Sequence, residues 1–303
     1  MRQPNEAGEI MVLMYHEITP HEPDNPWSRS IEGFKADLQL LYDNGYRLIT
    51  TEDLFFKQDI HTPKGYTPVV LTFDDGYASN FSFVKDDQGN LVPKKDTAFD
   101  IMENFIEAHP DFGKGAVFYI CGGEKLKPFE GEGSYQDRFE YLVAHGYEIG
   151  AHTVNHPHLD GLSKDELIHE MEETEAFIQR QLPQYNTHTF AYPYGVRPKP
   201  EYKDYVIHNE AEGTYHHAAA LLGGGQKEHT ANPLLKTYDY LSVPRVLGSQ
   251  GKEGDLGWWV NYYNENPHLR YVSSGDSKTI TVPVNQVANI SEKALKEKAL
   301  ITY

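Results

Sequence analysis

Two short motifs carry residue types that bind metal ions and accept protons. Asp74 and Asp75 follow an apolar run within Thr-Phe-Asp-Asp-Gly (Thr72–Gly76), and His152 and His156 are four residues apart. If the chain turns helically between the histidines, both imidazoles face the same side and can reach one ion. Two imidazoles with one carboxylate form a catalytic divalent-metal set that leaves positions open for water and substrate. Each motif alone could be an ordinary turn or a chance pair, but together they predict a metal site.

The paired aspartates and two further residues follow runs that read as strands. Asp74 and Asp75 repel each other when both are ionised, so the pair is costly unless a nearby cation offsets the repulsion. His16 and Tyr194 follow two other apolar runs, within Met-Tyr-His-Glu and Tyr-Pro-Tyr-Gly. The alternative interpretations are an ordinary loop histidine and an aromatic-lined turn. At the C-terminal ends of parallel strands, such side chains enter the crevice where α/β folds place their sites.

The elements that would position these residues alternate between short apolar runs and longer amphipathic ones. Three helix candidates have recognisable ends: Ser30 to Asp43, Ser134 to Gly146, and a helix from the Ser163–Glu166 capping box to Pro183. The strand candidates are rich in Val, Ile, Leu and Phe without strict alternation, which is typical of parallel strands buried on both faces. They are Ile10–Met14, Tyr46–Ile49, Pro68–Phe73, Gly115–Ile120, Tyr147–Ala151, His188–Tyr192, His217–Leu222 and Leu241–Val246. The pattern predicts an α/β fold with one parallel sheet, open or closed, and eight candidates favour a barrel.

Several other segments have structural interpretations. Asp86–Asn90 reads as a tight hairpin turn rather than a calcium loop, because it lacks the bidentate glutamate. Gly223–Gly225 is not followed by a phosphate-loop lysine, so it reads as a flexible loop. The aromatic pairs Trp258–Trp259 and Tyr262–Tyr263 are expected to pack in the core or along a helix, with stacking on a sugar as the alternative. Cys121 is expected to be a small buried residue.

The composition excludes several classes of protein. Of the 303 residues, 27 are Lys or Arg and 45 are Asp or Glu, giving a net charge of −18. This surface disfavours nucleic acid, anionic membranes and polyanionic substrates, and leaves neutral or cationic polymers open. A single cysteine excludes an intramolecular disulfide and a multi-cysteine metal site. No run of about 18 apolar residues predicts a membrane span, and the polar start lacks the apolar core of a secretory signal. The chain is therefore expected to be cytoplasmic, or to have lost an export signal.

Three motifs, in this order, resemble those of the polysaccharide deacetylase family, the carbohydrate esterase family 4-like proteins that share the NodB homology domain. They are Thr72–Gly76, His152–His156 and Pro193–Gly195, and the resemblance runs from about Met11 to Val246. Tyr15-His16, followed by Asn-Gly-Tyr and the later aspartate pair, is most similar to the exopolysaccharide (poly-N-acetylglucosamine) deacetylase branch.

The resemblance implies a distorted (β/α) barrel of about seven to eight mostly parallel strands with surrounding helices. Residues 1–270 would form the catalytic domain and residues 271–303 a C-terminal appendage. Asp75, His152 and His156 would bind a divalent metal ion, with zinc expected first and cobalt, nickel or manganese as alternatives. Asp74 would be the general base, and the backbone N–H of Tyr194 would bind the oxyanion.

Two departures from the family pattern affect the remaining roles. The arginine that usually precedes Pro-Tyr is missing from Phe190–Tyr192, and no Leu-x-His occurs near the end of the core. In the exopolysaccharide branch a Tyr-His pair on the first strand supplies the acid, so His16 is the expected general acid. Arg245 is the expected substitute arginine, although an arginine at a strand end is often a solvated charge. If His16 is not the acid, three histidines are next in turn: His216, His217 and His229.

The expected function is metal-dependent removal of acetyl groups from an N-acetylated amino-sugar polysaccharide, a cell-wall or exported glycan. The partner would be a polysaccharide or oligosaccharide, and the location extracellular or in the cell envelope. Two alternatives remain open: hydrolysis of an acetyl ester or a non-sugar amide by the same superfamily, and glycan binding without catalysis. An O-acetyl ester has the better leaving group and would depend less on His16.

Overall fold

A parallel barrel forms the centre of the fold. The computed structural model describes residues 2–123, 126–209, 215–224 and 231–303. Within these ranges the main sheet has eight strands, all paired in parallel. They are β1 Met11–Tyr15, β2 Tyr46–Leu48, β3 Thr67–Phe73, β4 Val117–Ile120, β5 Glu148–Ala151, β6 Thr189–Ala191, β7 Ala219–Gly224 and β8 Val243–Leu247. Seven of them close in the order β1-β8-β7-β6-β5-β4-β3, and the pairing of β3 with β1 completes the ring. Strand β2 pairs with the first half of β3. The predicted distorted (β/α) barrel is confirmed.

Burial explains why apolar runs became these strands. Every residue of β1 and of β3 is buried. On β3, Val69, Leu71 and Phe73 pack in a core cluster with Phe34 of the first helix, whereas Val70 belongs to a second cluster with residues of β6, β7 and β8. Alternate residues of one strand therefore serve the outer and inner faces of the barrel, which requires both faces to be apolar.

Strand β7 differs from the sequence-based expectation. The glycines at its end were predicted to lie in a flexible loop, but Gly223 and Gly224 belong to the strand, and Gly225 lies outside the described residues. Between Leu221 and Gly224 the register of β7 against β8 shifts. A Cβ on Gly224 would lie 2.6 Å from the side chain of Met14 and 3.3 Å from the backbone nitrogen of Leu247, so glycine fits here without displacing either.

Helices surround the barrel and connect its strands. They are α1 Ile31–Asp43, α2 Ala98–Ala108, α3 Tyr135–Ala144, α4 Lys164–Gln181, α5 Leu256–Glu265 and α6 Glu292–Glu297. The predicted capping box of α4 is present: the Ser163 hydroxyl accepts from the backbone of Glu166, and the Glu166 carboxylate accepts from that of Ser163. Shorter helical segments are Glu52–Phe56, Pro110–Phe112, Leu159–Gly161, Pro193–Gly195, Pro200–Val206, Pro267–Leu269 and Val284–Asn289. No helix in the described ranges is long and apolar enough to span a membrane.

Small paired strands lie outside the barrel. Phe83–Lys85 and Leu91–Pro93 form an antiparallel hairpin around the predicted turn, whose Asp86 carboxylate accepts from the backbone N–H groups of Gln88 and Asn90. A two-residue pair joins Ile18–Thr19 to Arg29–Ser30.

The C-terminal segment packs against the start of the chain. Thr279–Val282 and Ala299–Thr302 form a parallel pair, β9 and β10. The backbone N–H of Glu6 donates to the carbonyl of Thr281, and the Tyr303 hydroxyl donates to the carbonyl of Pro4. The division of the chain at residue 270 stays a prediction.

Candidate active site

The loops at the C-terminal ends of the strands bring the predicted residues together. His16 follows β1, the two aspartates follow β3, His152 follows β5, and Tyr194 follows β6. Parallel strands end at one rim of a barrel, which is where such folds carry their sites. Arg245 lies in β8 itself, with its side chain fully buried.

Asp75, His152 and His156 form a cluster of three potential ligands. The Nε2 atoms of His152 and His156 lie 3.4 and 3.3 Å from the same oxygen, Oδ1 of Asp75. One ligand atom from each residue lies within 4.8 Å of the other two, and in the described part of the chain this is the one group of three such side chains. Imidazole nitrogens and a carboxylate oxygen at this separation fit a divalent ion such as zinc.

A backbone contact sets the tautomer of His152. Its Nδ1 lies 2.7 Å from the carbonyl oxygen of Ala191 at the end of β6. A carbonyl can only accept, so Nδ1 carries a proton, and Nε2 is the nitrogen that faces Asp75 and would bind an ion. A hydrogen bond from the ring nitrogen that does not bind the metal is what usually orients metal-binding histidines in proteins.

Glu170 of α4 shapes the loop between the two histidines. Its carboxylate, largely buried, accepts from the backbone N–H groups of Val154 and Asn155 at 2.9 and 2.8 Å, and from the Asn155 amide at 2.8 Å. The backbone N–H of His156 donates to Thr153 Oγ1 at 3.0 Å. Glu170 was not predicted from the sequence, where its only signal is an acidic residue among the apolar positions of α4.

Four residues at the site have left-handed backbone conformations. The φ values of Asp75, Thr153, His156 and Tyr194 are 70°, 65°, 55° and 57°. A non-glycine residue in this region costs on the order of 1 kcal/mol, and such strain concentrates at functional sites. The surrounding hydrogen bonds hold this geometry, so the side chains are aimed before any ligand arrives.

Arg245 holds Asp74 by two hydrogen bonds. Its Nη1 and Nη2 each donate to one carboxylate oxygen of Asp74 at 2.7 Å. The remaining donors reach Thr72 Oγ1 at 3.0 Å and the carbonyl of Leu222 at 2.6 Å. The guanidinium thus occupies the position beside Asp74 that was expected for the substitute arginine, and Thr72 is a supporting residue that the sequence analysis did not single out.

The charges around the site determine which groups are ionised. Burial alone would raise the pKa of Asp74, but the Arg245 guanidinium, with His152 and His16, outweighs burial and lowers that pKa well below its usual range. For Asp75, contact with His152 likewise overcomes burial and lowers the pKa. Burial and the neighbouring His152 lower the pKa of His156 to about 4. At neutral pH both carboxylates are therefore ionised and His156 is neutral, the forms that bind a metal ion.

His16 lies beside Asp74. Its Nε2 is 3.9 Å from Asp74 Oδ2, and its backbone carbonyl accepts from the amide of Asn80 at 2.6 Å. A histidine that acts as a general acid at neutral pH needs a nearby carboxylate to keep its imidazole protonated. Asp74 and Asp75 do act in that direction, but burial outweighs them and lowers the pKa of His16. Burial has this effect because a buried imidazolium loses its hydration.

Tyr194 and Tyr77 lie at the edge of the site. The Tyr194 ring is 62% exposed, stacks on His158 at 4.2 Å and meets His156 edge-on at 4.4 Å. Burial and the nearby Asp75 raise the pKa of Tyr77 to about 12. His158 therefore packs on Tyr194 rather than joining the metal ligands.

The other histidines considered as general acids lie elsewhere. His217 is buried, with Nδ1 against the carbonyl of Val206 and Nε2 against the Thr187 hydroxyl. His216 is exposed and pairs with His208. His229 lies outside the described residues. Among the described histidines, His16 is thus the candidate that contacts Asp74.

Replacing the buried guanidinium should affect both stability and pH dependence. In Arg245→Met, Asp74 stays buried without its partner, and we expect a loss of about 3 to 5 kcal/mol of unfolding free energy at neutral pH. The wild-type Asp74, with its lowered pKa, stabilises the fold above its unfolded pKa, and this is lost as pH falls through its folded pKa.

In the variant, burial raises the pKa of Asp74, so the acidic limb of the kcat/KM profile should move to higher pH. Urea unfolding and pH–rate profiles measure the two effects. Arg197→Met removes an exposed arginine that donates to Ser242 Oγ and is the control. An unchanged acidic limb in Arg245→Met would contradict this account of Asp74.

Three comparisons place this architecture among known proteins. The family model described as polysaccharide deacetylase matches residues 61–212, just over half of the chain. Over 191 residues the chain is 24% identical to YxkH of Bacillus subtilis (strain 168), which carries the name polysaccharide deacetylase; the match covers 62% of this chain and 57% of that protein.

Solved structures share the fold at low sequence identity. The Streptococcus pyogenes deacetylase PplD, in complex with acetate, superposes with a TM-score of 0.61 at 20% identity, covering 86% of this chain and 98% of that one. IcaB from Ammonifex degensii superposes with a TM-score of 0.56 at 18% identity, covering 84% and 97%.

Proposed function

Because the chain belongs to the polysaccharide deacetylase family, we propose that it is a metal-dependent hydrolase that removes acetyl groups from N-acetylated amino-sugar polysaccharides. The family supplies the reaction class, hydrolytic deacetylation. The observation that carries metal dependence is the convergence of Asp75, His152 and His156 on one point at the barrel rim. The acidic surface suits a substrate whose product carries a cationic amine.

The three clustered side chains would hold the ion. Their donor set, one carboxylate oxygen and two imidazole nitrogens, suits zinc, with cobalt, nickel or manganese as alternatives. When bound, such an ion polarises the acetyl carbonyl and lowers the pKa of water. With an ion bound, His152 and His156 would each present an unprotonated nitrogen, and the hydrogen bond from His152 to Ala191 keeps one of them aimed.

Asp74 would act as the general base. It is ionised at neutral pH, and a carboxylate retains accepting lone pairs beyond the two that Arg245 occupies. The bidentate contact orients both oxygens of Asp74. Asp74 can therefore take a proton from the attacking water while the water oxygen bonds to the acetyl carbon. The backbone N–H of Tyr194 would donate to the oxyanion that forms from the carbonyl.

His16 would act as the general acid. Breaking the carbon–nitrogen bond releases acetate and an amine, and the amine leaves readily only after its nitrogen receives a proton. His16 lies 3.9 Å from Asp74, within reach of the reacting group. Its lowered pKa makes the imidazolium a stronger acid but leaves a smaller protonated fraction at neutral pH.

The exchange His16→Ala tests this assignment. We expect bound metal to be unchanged and kcat on an N-acetylated amino-sugar oligomer to fall by about 10²-fold or more, the usual contribution of a general acid. An activated ester such as 4-nitrophenyl acetate should lose far less, since its leaving group needs no proton. Equal losses on both substrates would mean that His16 binds substrate or supports the structure, and no loss on the amide would place the acid elsewhere.

Acetate release tests the proposed function as a whole. Oligomers of N-acetylglucosamine should release acetate faster than acetyl-xylan if the amide is the natural substrate. Faster release from acetyl-xylan would favour the acetyl-ester alternative. Binding of the oligomers without release of acetate from either substrate would favour a glycan-binding module. Because such polymers are cell-wall or exported glycans, the proposal places the protein outside the cell or in its envelope.

A further inference from the structure

Trp27 is a large aromatic side chain exposed beside the site. Its side chain is 53% exposed, and its ring centroid lies 5.7 Å from that of His16 at an interplanar angle of 65°. The residue belongs to the loop between β1 and α1. An exposed indole contributes little to the core, and its apolar plane and N–H group are available to a ligand.

The loop holds Trp27 in a defined position. The Asn25 side-chain oxygen accepts from the backbone N–H groups of Trp27 and Ser28, both at 2.9 Å. The Ser28 hydroxyl donates at 3.2 Å to the carboxylate of Glu17, the residue after His16. The backbone at Trp27 is therefore tied to the same segment that positions His16.

A buried ion pair anchors the end of the loop. Arg29 donates to both carboxylate oxygens of Asp37 at 2.9 and 2.8 Å, and the buried Tyr15 hydroxyl donates to the same carboxylate at 3.2 Å. Strand β1 and helix α1 are thereby joined at the end of the loop that carries Trp27. A side chain held in this way loses little conformational freedom on binding, so more of its contact energy appears as affinity.

We propose that Trp27 is a stacking platform for a sugar ring next to the residue that is deacetylated. This rests on the proposed function. Aromatic planes suit the apolar faces of pyranose rings, and an exposed indole offers the largest such plane. The Trp27 ring contacts His16, which in turn lies 3.9 Å from Asp74, so we assign the platform to a neighbouring unit of the polymer rather than to the reacting acetamide.

The other tryptophans are less suited to this role. Trp259 is buried in the core, and Trp258 is half-buried and stacks on Tyr262 at 5.0 Å. Phe56 provides a matched control, since it is 52% exposed and packs on His188, which precedes β6 at the opposite end of the barrel.

The exchange Trp27→Ala should lower the activity on polymeric substrates only. We expect kcat/KM on the N-acetylglucosamine pentamer to fall about tenfold, mainly through KM, a change that corresponds to about 1.4 kcal/mol. Activity on 4-nitrophenyl acetate should not change, and Trp27→Phe should keep most of the activity on the pentamer. Phe56→Ala should leave the activity on both substrates unchanged. An unchanged kcat/KM on the pentamer, or an equal loss on the ester, would overturn the proposal.

Binding measured without turnover separates this proposal from the proposed function. In the Asp74→Asn background, calorimetric titration with the pentamer should show about a tenfold weaker Kd when Trp27→Ala is added. If the wild type released no acetate from any glycan, the proposed function would fail. The titration would still show whether Trp27 binds a sugar ring. An unchanged Kd would overturn it.

Discussion

Asp74→Asn is expected to lower kcat on an N-acetylated amino-sugar oligomer by about 10³-fold while the protein keeps its bound metal. The amide cannot take the proton that the ionised carboxylate accepts, whereas Asp75, His152 and His156 are untouched. Acetate release and elemental analysis of the same preparation measure the two properties. Because the amide replaces one acceptor of Arg245, circular dichroism should accompany them to show that the variant is folded.

Asp75→Asn is the matched control for the division of labour between the two aspartates. It removes a charged ligand and leaves the base and its arginine in place, so metal should be lost first and activity as a consequence. If Asp74→Asn lost its metal while Asp75→Asn kept it, the roles assigned to the pair would be reversed.

His156→Ala is expected to lose most of the bound metal and nearly all activity while remaining folded. Two ligands hold a divalent ion far more weakly than three, and His156 is partly exposed, so its removal leaves no large buried cavity. Metal content, activity and thermal unfolding of the variant test this expectation together.

His158→Ala is a close control for that exchange. The residue lies two positions further along and stacks on Tyr194, but it is outside the ligand cluster. Its variant should retain the metal. Stoichiometric metal in His156→Ala would contradict the assignment of the site.

The barrel could be predicted because its strands are buried on both faces. Each of the eight apolar runs became a strand, with no end shifted by more than two residues. The expectation failed at Gly223 and Gly224, where glycines usually indicate a loop. A Cβ on Gly224 would crowd the side chain of Met14, and the register against β8 shifts there, which are tertiary effects that local sequence does not carry.

The candidate site could be predicted only where its residues are close in sequence. The aspartate pair and the two histidines stand in compact motifs, but the contact between Arg245 and Asp74 joins residues 171 positions apart. The burial that lowers the pKa of His16 likewise depends on elements that pack around it. Trp27 was missed because nothing in the sequence distinguishes an exposed tryptophan from the buried Trp259.

The central claim is that the cluster of Asp75, His152 and His156 holds the ion that deacetylation requires. The most direct measurement is acetate release from an N-acetylglucosamine oligomer by chelator-treated protein titrated with zinc, with bound zinc determined at each point. Activity should be absent from the metal-free protein and should rise in proportion to bound zinc until each chain holds a single ion. Full acetate release by protein from which all metal has been removed would contradict the claim.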